Sequence, residues 1–417
     1  MNKIELKEGY KKTEVGVIPE DWEIFIFGDI IDYTKGFPFR SKDYQEDGIR
    51  IIRVSDTTFD GIKKENGIYI SEKNANDYKK WRLDESDLIF TTVGSKPPLY
   101  DSMVGKVIIV SKEFEGSFLN QNAVFIRAKK RTKEKQALLL NHFRTKRYLQ
   151  YIELIYRGNA NQASINLKEL FAFKIPLPST LTEQTAIANA LSDADALITS
   201  LEKLIAKKRN IKQGAMQKLL QPKEGWEVKR LGEVGECIIG LTYTPENVKE
   251  SGTLVLRSSN IRGSTLKYDD NVYVNSHISE KLINQENDIL ICVRNGSRNL
   301  IGKCALIGGV AIGQTFGAFM AMYRSHYNQF VIHLFQSDII KKQIDEHLGA
   351  TINQITNKSL NSFAIPFPSL EEQKRIATIL SDMDNEITAL ENKLEKYKNI
   401  KLGMMQNLLT GKIRLVD

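Results

Sequence analysis

The chain has 417 residues, of which 41% are hydrophobic and 26% are charged, a composition typical of soluble globular proteins and not of disordered chains. Its 59 basic and 51 acidic residues give a net charge of +8, and no segment forms a polybasic tail. No run approaches about 18 apolar residues, and three cysteines are too few for a disulfide framework. We expect roughly two to four domains in a cytoplasmic protein without a membrane anchor.

Globular segments alternate with long helices along the sequence. Residues 1–178 contain short β-branched stretches, such as 106–110 and 123–127, that predict strands, and 138–155 predicts an amphipathic helix. Residues 179–221 predict a long helix. Residues 222–368 repeat the mixed pattern, with a predicted strand at 253–257 and a predicted helix at 329–348, and 369–417 predicts a second long helix with a C-terminal tail. We therefore predict an α+β fold with two globular modules and two long helices.

The two halves of the chain form an internal repeat with a spacing of about 190 residues. Residues 175–179 and 365–369 read IPLPS and IPFPS, and residues 191–195 and 380–384 read LSDAD and LSDMD. More loosely, Trp22 and Arg53 match Trp226 and Arg257. The spacing far exceeds that of solenoid repeats, so a large module has been duplicated.

Both long helices carry an a/d heptad stripe, and each begins with a capping-box pattern just after two prolines. Gly214 and Gly403 occupy matching places near the predicted ends and predict a kink, a close backbone approach or the helix end. The matched stripes favour pairing of the two helices, parallel or antiparallel, over packing of each helix on its own module. The predicted seam comprises Ile187, Leu191, Ala194, Ile198, Leu201, Ile205, Ile376, Leu380, Met383, Ile387, Leu390 and Leu394.

The sequence contains no familiar catalytic or nucleotide-binding motif. Phosphate-loop, dinucleotide, zinc-protease and nucleophile-elbow patterns are missing, and the five histidines lack metal-ligand spacing. No Asn-Pro-Pro-aromatic or Asp-Pro-Pro-aromatic string is present for methyl transfer to a base. Residues 391–393 read ENK, like half of a nuclease motif, but they lie on a predicted helix. We predict a binding or scaffolding protein with no catalytic residue and no metal site.

Three stretches of sequence are shared with a known family. Residues 13–22 read TEVGVIPEDW, the repeated IPxPS and LSDxD runs follow, and residues 405–415 read MQNLLTGKIRL. In these stretches the chain resembles the specificity subunits of type I restriction-modification enzymes. The resemblance implies that residues 1–178 and 222–368 are target recognition domains, each reading one half of a bipartite, asymmetric duplex DNA sequence. It also implies that the helices 179–221 and 369–417 form an antiparallel coiled coil that acts as a spacer.

The resemblance further implies partners and cofactors. Two DNA methyltransferase subunits would dock on the helices, with restriction or translocase subunits joining through them. S-adenosylmethionine, ATP and Mg²⁺ would belong to those partner chains, and this chain would hold no cofactor. Three alternatives stay open from the residues alone: a subunit of a methyltransferase-only or type II-like assembly, a scaffold whose modules bind protein, and an unrecognised nuclease.

Gly-flanked polar loops follow the predicted strands at 88–90 and 289–292, at the same place in both modules. Arg, Lys, Asn, Gln, Ser and Thr on such loops suit contacts to base edges, although each loop taken singly is also compatible with an ordinary polar turn. Arg53 and Arg257 could equally be structural ion-pair partners. The candidate DNA-binding residues are Lys35, Arg40, Ser41, Lys42, Thr92, Ser95, Lys96, Asn159, Asn161, Gln162, Thr242, Tyr243, Arg294, Asn295, Ser297, Arg298, Thr351, Asn353 and Gln354.

Overall fold

The computed structural model describes residues 8–99, 101–159, 162–348 and 353–416. They fall into two compact units: unit 1 lies within Met1–Leu201 and Lys393–Asp417, and unit 2 within Glu202–Asn392. No helix in the described part of the chain has the length and hydropathy needed to span a membrane. In chain order the α-helices are α1 (Lys133–His142), α2 (Lys146–Ile155), α3 (Leu167–Phe171), α4 (Leu181–Leu219), α5 (Leu231–Val234), α6 (Asn328–Phe335), α7 (Asp338–His347), α8 (Asn357–Ser362) and α9 (Leu370–Leu408).

Unit 1 is built on a four-stranded antiparallel sheet. The strands of this unit are β1 (Tyr10–Thr13), β2 (Gly16–Pro19), β3 (Glu23–Ile26), β4 (Ile31–Lys35), β5 (Ile49–Ile52), β6 (Ile68–Ile70), β7 (Leu88–Thr91), β8 (Val93–Gly94), β9 (Val107–Ile109), β10 (Phe118–Leu119), β11 (Ala123–Ala128), β12 (Arg157–Asn159), β13 (Gln162–Ser164) and β14 (Lys174–Leu177). The central sheet has the order β4-β11-β7-β9, and smaller sheets have the orders β10-β5-β6, β12-β13-β8, β1-β2 and β14-β3. Phe125 of β11 pairs with Thr34 on one side and Ile89 on the other.

Unit 2 repeats this plan. Its strands are β15 (Glu227–Arg230), β16 (Glu236–Ile239), β17 (Val248–Lys249), β18 (Thr253–Leu256), β19 (Ile261–Arg262), β20 (Thr265–Leu266), β21 (Tyr273–Val274), β22 (Ile289–Cys292), β23 (Cys304–Leu306), β24 (Thr315–Phe316), β25 (Met320–Arg324) and β26 (Ala364–Phe367). The central sheet β16-β25-β22-β23 has the same order and antiparallel pairing as its counterpart in unit 1. The other sheets are β17-β21-β18-β24, β19-β20 and β15-β26. The predicted α+β fold and the duplication are therefore confirmed in three dimensions.

The central strands are apolar on both faces because both faces are covered. Leu88 and Phe90 of β7 pack in a core with α1 and α2, whereas Ile89 packs in a second core with Val110 and Phe125. In unit 2, alternate residues of β22 likewise divide between two cores. This explains why the sequence shows continuous apolar runs here and not the alternating pattern of a half-exposed sheet.

Each predicted amphipathic helix of the modules is in fact two helices. A break at 143–145 separates α1 from α2, where Thr145 Oγ1 accepts a hydrogen bond from Tyr148 N (3.3 Å). A break at 336–337 separates α6 from α7, where Ser337 Oγ accepts from Ile339 N (3.2 Å). The prediction of single helices at 138–155 and 329–348 is wrong, because the apolar pattern continues across a hydroxyl cap that starts a new helix.

The long helices α4 and α9 have 39 residues each, and the predicted hydroxyl caps both of them, whereas the glutamates of the predicted capping boxes bind Arg414 and Arg375. Thr180 Oγ1 accepts from Glu183 N (3.3 Å), and Ser369 Oγ accepts from Glu372 N (3.4 Å). The helices continue through Gly214 and Gly403, where an added Cβ would meet none of the described atoms within 4 Å. Neither glycine therefore marks a helix end or a close approach.

The two helices run antiparallel in each unit. In unit 1, Glu183 binds Arg414 (2.6 Å) and Asp195 binds Lys401 (2.5 Å). The residue numbers therefore rise along α4 while those of their partners fall along α9 and the C-terminal segment. In unit 2, Arg209 binds Glu391 (2.5 Å) and Lys212 binds Asp384 (2.6 Å), which gives the same opposite direction. The orientation that the heptad pattern left open is thus the antiparallel one implied by the family resemblance.

The predicted seam residues differ in burial along the helices. Ile187 and Leu191 belong to the unit 1 core, and Ile376 and Leu380 belong to the unit 2 core. Under a tenth of the side chain is exposed at Ile187, Leu191, Ile198, Leu201, Ile205, Ile376, Leu380 and Ile387, and Ala194, Met383, Leu390 and Leu394 are half-buried.

We predict that Leu201→Lys destabilises the chain by about 2–5 kcal/mol, because it replaces a buried apolar side chain with a charged one. Leu201 is 5% exposed, whereas Leu197, one turn earlier on α4, is 37% exposed. Leu197→Lys is the matched control and should cost less than about 1 kcal/mol. Chemical denaturation followed by circular dichroism measures both. Equal losses in the two variants would contradict a buried seam.

Candidate nucleic-acid interface

One edge of the central sheet of unit 1 gathers three chain segments. Strands β4 and β7 end on either side of the start of β11: Gly36 N donates to Ala123 O (2.9 Å), and Thr92 N donates to Asn122 O (2.9 Å). Lys35 pairs with Val124 of β11. Polar residues that follow β4 and β7 therefore lie beside the turn 120–122. We call this group, comprising Lys35, Thr92 and residues 120–122, the unit 1 edge.

A glycine allows the chain to leave β4 at this edge. A Cβ on Gly36 would lie 1.8 Å from Asn120 O, so any other residue would displace the backbone of the turn. Gly240 of unit 2 has the same environment, with Gly317 O at 2.1 Å from an added Cβ. The glycines flanking the predicted loops are thus explained by a close backbone approach that recurs in both units.

A hairpin brings two further candidate stretches of unit 1 together. Strand β13 pairs with β8, with Ala163 opposite Gly94, and Asn159 pairs with Gln162 within the hairpin. Ser95 Oγ accepts a hydrogen bond from Ser102 Oγ (2.9 Å). Asn159, Gln162 and Lys96 are exposed, and Thr92 and Ser95 are half-buried. Asn161 lies outside the described residues.

Unit 2 forms an equivalent edge from different side chains. Gly240 N donates to Met320 O (3.2 Å), and Arg294 N donates to Phe319 O (3.1 Å). The loop after β22 also meets the segment before α8, because Arg294 pairs with Gln354 and Asn353 Nδ2 donates to Gly296 O (3.2 Å). We call this group the unit 2 edge; it comprises Thr242, Tyr243, Arg294, Asn295, Ser297, residues 317–319, Asn353 and Gln354. Thr351 lies outside the described residues.

Some candidate residues are not brought to the edges. Arg40, Ser41 and Lys42 are exposed, but their segment continues onto the sheet β10-β5-β6, where Gln45 N donates to Tyr69 O (2.9 Å). Arg298 is likewise engaged away from the unit 2 edge. Its Nη2 donates to Asp345 O (2.9 Å) in the last turn of α7, where the helix dipole favours cations.

Several basic residues near the edges have structural partners. Arg53 forms an ion pair with Asp56 (2.8 Å), whose hydrogen bond raises the pKa of the guanidinium, and Arg257 pairs with Asp270 (2.9 Å). Of the two roles left open for these arginines, the structure places both in ion pairs within the modules.

Two lysines act as internal braces at equivalent places. Lys106 is 1% exposed, its Nζ donates to Thr57 O (2.8 Å) and to Asp101 O, and burial lowers the pKa of the ammonium to about 8. Lys303 Nζ donates to Ser258 O (3.1 Å). The ammonium groups are therefore directed at backbone carbonyls within each module.

The turns at 120–122 and 317–319 are not among the candidates predicted from the sequence, which lie in loops after predicted strands or helices. In an antiparallel sheet the start of one strand lies beside the ends of its neighbours, so these turns share the edge. Asn122 is exposed with φ +70°, and Phe319 is 58% exposed. The polar run at 120–122 directly before a predicted strand was the available signal.

Within the described ranges, no group of three or more His, Cys, Asp or Glu side chains is placed to hold a metal ion.

Comparison with known proteins gives matches over most of the chain. The family model described as type I restriction modification DNA specificity domain matches residues 19–213 and 223–399. A Methanocaldococcus jannaschii protein assigned as the type I restriction enzyme MjaX specificity subunit is 31% identical, over 98% of this chain and 97% of that protein. The MjaVIII specificity subunit of the same organism is 28% identical, also over 98% and 97% of the two chains.

A solved structure has the same fold. The S subunit of a type I restriction-modification system from M. genitalium is 18% identical, with a TM-score of 0.62 over 93% of this chain and 96% of that chain. The likeness supports the duplicated architecture derived above.

We predict that Gly240→Ala destabilises unit 2 by about 1–3 kcal/mol, because the new methyl group would overlap the carbonyl of Gly317. Gly296→Ala, in the neighbouring loop, is the matched control, since its Cβ would meet no described atom within 4 Å. Thermal unfolding of both variants measures the difference. A Gly240→Ala variant as stable as Gly296→Ala would disprove the close approach.

Proposed function

The chain belongs to the family of type I restriction-modification DNA specificity subunits, and on this premise we propose that it selects the DNA sequence on which such a complex acts. Each module would read one half of a bipartite duplex target through its edge. The target would be asymmetric, because the two edges carry unlike side chains. The paired helices would act as the spacer between the two readers.

A single observation carries this proposal: one scaffold is used twice with different residues at the same place. The two sheets share their strand order and the close backbone approach at a glycine. They also share an ion pair between a buried aspartate and an arginine, Asp87–Arg127 (2.7 Å) and Asp288–Arg324 (2.6 Å). The edges differ: unit 1 presents Lys35, Thr92 and the amides of residues 120–122, whereas unit 2 presents Arg294 and the exposed ring of Phe319. A constant frame with variable edges suits two readers of different sequences.

We predict that mapping methylated bases in a host with the complete system reveals one asymmetric, two-part motif. Exchanging residues 223–364 for the equivalent module of a relative should change one half of the motif, because only one reader is replaced. The other half should stay the same. A change in both halves would contradict independent readers, and methylation without a two-part motif would contradict the proposal itself.

The outer faces of the long helices support a proposal about partners. Ile211 of α4 and Ile400 of α9 occupy matching places in the repeat and are 47% and 42% exposed. Exposed aliphatic side chains on a helix at two equivalent places suit two copies of one partner. We propose that each is part of a docking surface for one methyltransferase subunit, and that restriction or translocase subunits join through these.

The chemistry would then reside in the partners. The sequence lacks nucleotide-binding and methyl-transfer motifs, which supports placing S-adenosylmethionine, ATP and Mg²⁺ in the other chains. Methyl transfer and cleavage would be functions of the assembly, with this chain supplying sequence selection.

We predict that Ile211→Asp and Ile400→Asp each remove one methyltransferase subunit from the complex, because a carboxylate would be buried in an apolar contact. The double variant should retain neither subunit. Gln217→Asp and Gln406→Asp add the same charge at matched exposed positions and serve as controls. Mass measurement by light scattering reports the stoichiometry. Full complexes with the double variant would place the docking surface elsewhere.

A further inference from the structure

We propose that Phe319 and Arg294 form a two-residue reader in unit 2: the Phe319 ring packs on the 5-methyl group of a thymine in duplex DNA, and the Arg294 guanidinium donates to a neighbouring guanine. This inference rests on the proposed function and adds a residue that the loop pattern did not predict. It also assigns a chemical contact to each of the two side chains.

Phe319 is unusual among the aromatic residues in and around β24 and β25. Its side chain is 58% exposed, while Phe316 and Tyr323 nearby are fully buried. A singly exposed apolar residue is common on protein surfaces and by itself indicates no function. The case for Phe319 depends on how firmly it is held and on what surrounds it.

The backbone and the ring of Phe319 are both held by the neighbouring loop. Its carbonyl oxygen accepts hydrogen bonds from the amides of Val293 and Arg294, each at 3.1 Å. The Arg294 guanidinium carbon lies 5.0 Å from the ring centroid, within the range of a cation–π contact. The ring therefore needs little ordering when a ligand binds, which lowers the entropic cost of binding.

Among the described residues, no carboxylate neutralises the charge of Arg294. Arg53, Arg127, Arg257 and Arg324 all form ion pairs, but within the described part of the chain no Asp or Glu pairs with Arg294. An exposed guanidinium without an acidic partner remains able to donate several hydrogen bonds to a ligand.

Duplex DNA fits this pair better than a protein surface does. Arginine binds guanine O6 and N7 in the major groove, and apolar side chains including Phe contact the thymine methyl. The exposed Thr242 and Gln354 on the same edge add donors and acceptors of the kind that read base edges. A protein partner with an apolar, acidic patch is the competing occupant and is distinguished by the experiment below.

Unit 1 offers a matched comparison. Asn122 immediately precedes β11, as Phe319 immediately precedes β25, and it is exposed with φ +70°. An amide at this place suits the N6 and N7 atoms of adenine, and it does not offer an apolar face. We therefore expect methyl sensitivity in the half-site read by unit 2 and not at this position of the other half-site.

The test uses the full chain assembled with its methyltransferase subunits. Duplexes carrying the mapped target are made with uracil in place of one thymine at a time, which removes a single methyl group. At one thymine of one half-site, replacement by uracil should weaken binding of the wild-type complex about fourfold relative to the unmodified duplex. This equals about 0.8 kcal/mol, the value for a buried methyl-sized group. We call this loss the uracil effect. With Phe319→Ala, the same replacement should have no further effect.

Three further variants make the test specific. Val310→Ala truncates an apolar residue that is 68% exposed, in the segment after β23, and should keep the full uracil effect. Arg294→Lys should relax the choice of guanine in the same half-site by roughly tenfold. Phe319→Leu should keep part of the uracil effect, and unchanged melting temperatures of both Phe319 variants exclude unfolding as the cause.

The outcomes separate this inference from the proposed function. A complex that binds no two-part duplex would overturn the proposed function. A complex that binds such a target, but with no thymine in the half-site altered by Arg294→Lys, would overturn only the contact assigned to Phe319. The same holds if Phe319→Ala keeps the uracil effect, or if it weakens subunit assembly and leaves base preference unchanged.

Discussion

The packing of the long helices into the module cores is the constraint on which the rest of the structure depends. In unit 1 the seam residues Ile187 and Leu191 share one core with Trp22, Met405 and Leu408, so the start of α4 and the end of α9 close the module together. Unit 2 does the same with the end of α4 and the start of α9. Each globular module is therefore completed by segments that are distant in the sequence, and neither helix end can be removed without opening a core.

Ion pairs with buried partners fix the register in which the long helices pack. Glu183 is 1% exposed and receives hydrogen bonds from Arg414 Nε (2.6 Å) and Trp22 Nε1 (3.3 Å), so the end of the chain is tied to the first turn of α4. The Lys401–Asp195 and Lys212–Asp384 pairs lie at matching places, with the lysine side chains 11% and 12% exposed. A shifted register would leave these charges buried without partners, which is costly even where the pair itself adds little stability.

The repeated frame and the unlike edges explain how one fold can serve two recognition tasks. Features that hold the modules together occur twice, including the lysine braces at Lys106 and Lys303 and the close approaches at Gly36 and Gly240. The residues that the frame presents differ between units, because the edge lies where strands end and side chains do not pack into the core. Variation there changes the surface without disturbing the fold.

The sequence by itself determined the repeat, the capped helices, their heptad stripe and the apolar strands, because these depend on local periodicity and on contacts within a few residues. It also located most of the polar loops. Only the tertiary structure decided that Thr145 and Ser337 interrupt the module helices and that the helix pair is antiparallel. It also decided that Arg53 is engaged in an ion pair, while Arg294 has no carboxylate partner among the described residues. Phe319 could not be predicted, because whether a residue before a strand is buried or exposed depends on which neighbouring strands end beside it, and that pairing joins segments far apart in the chain.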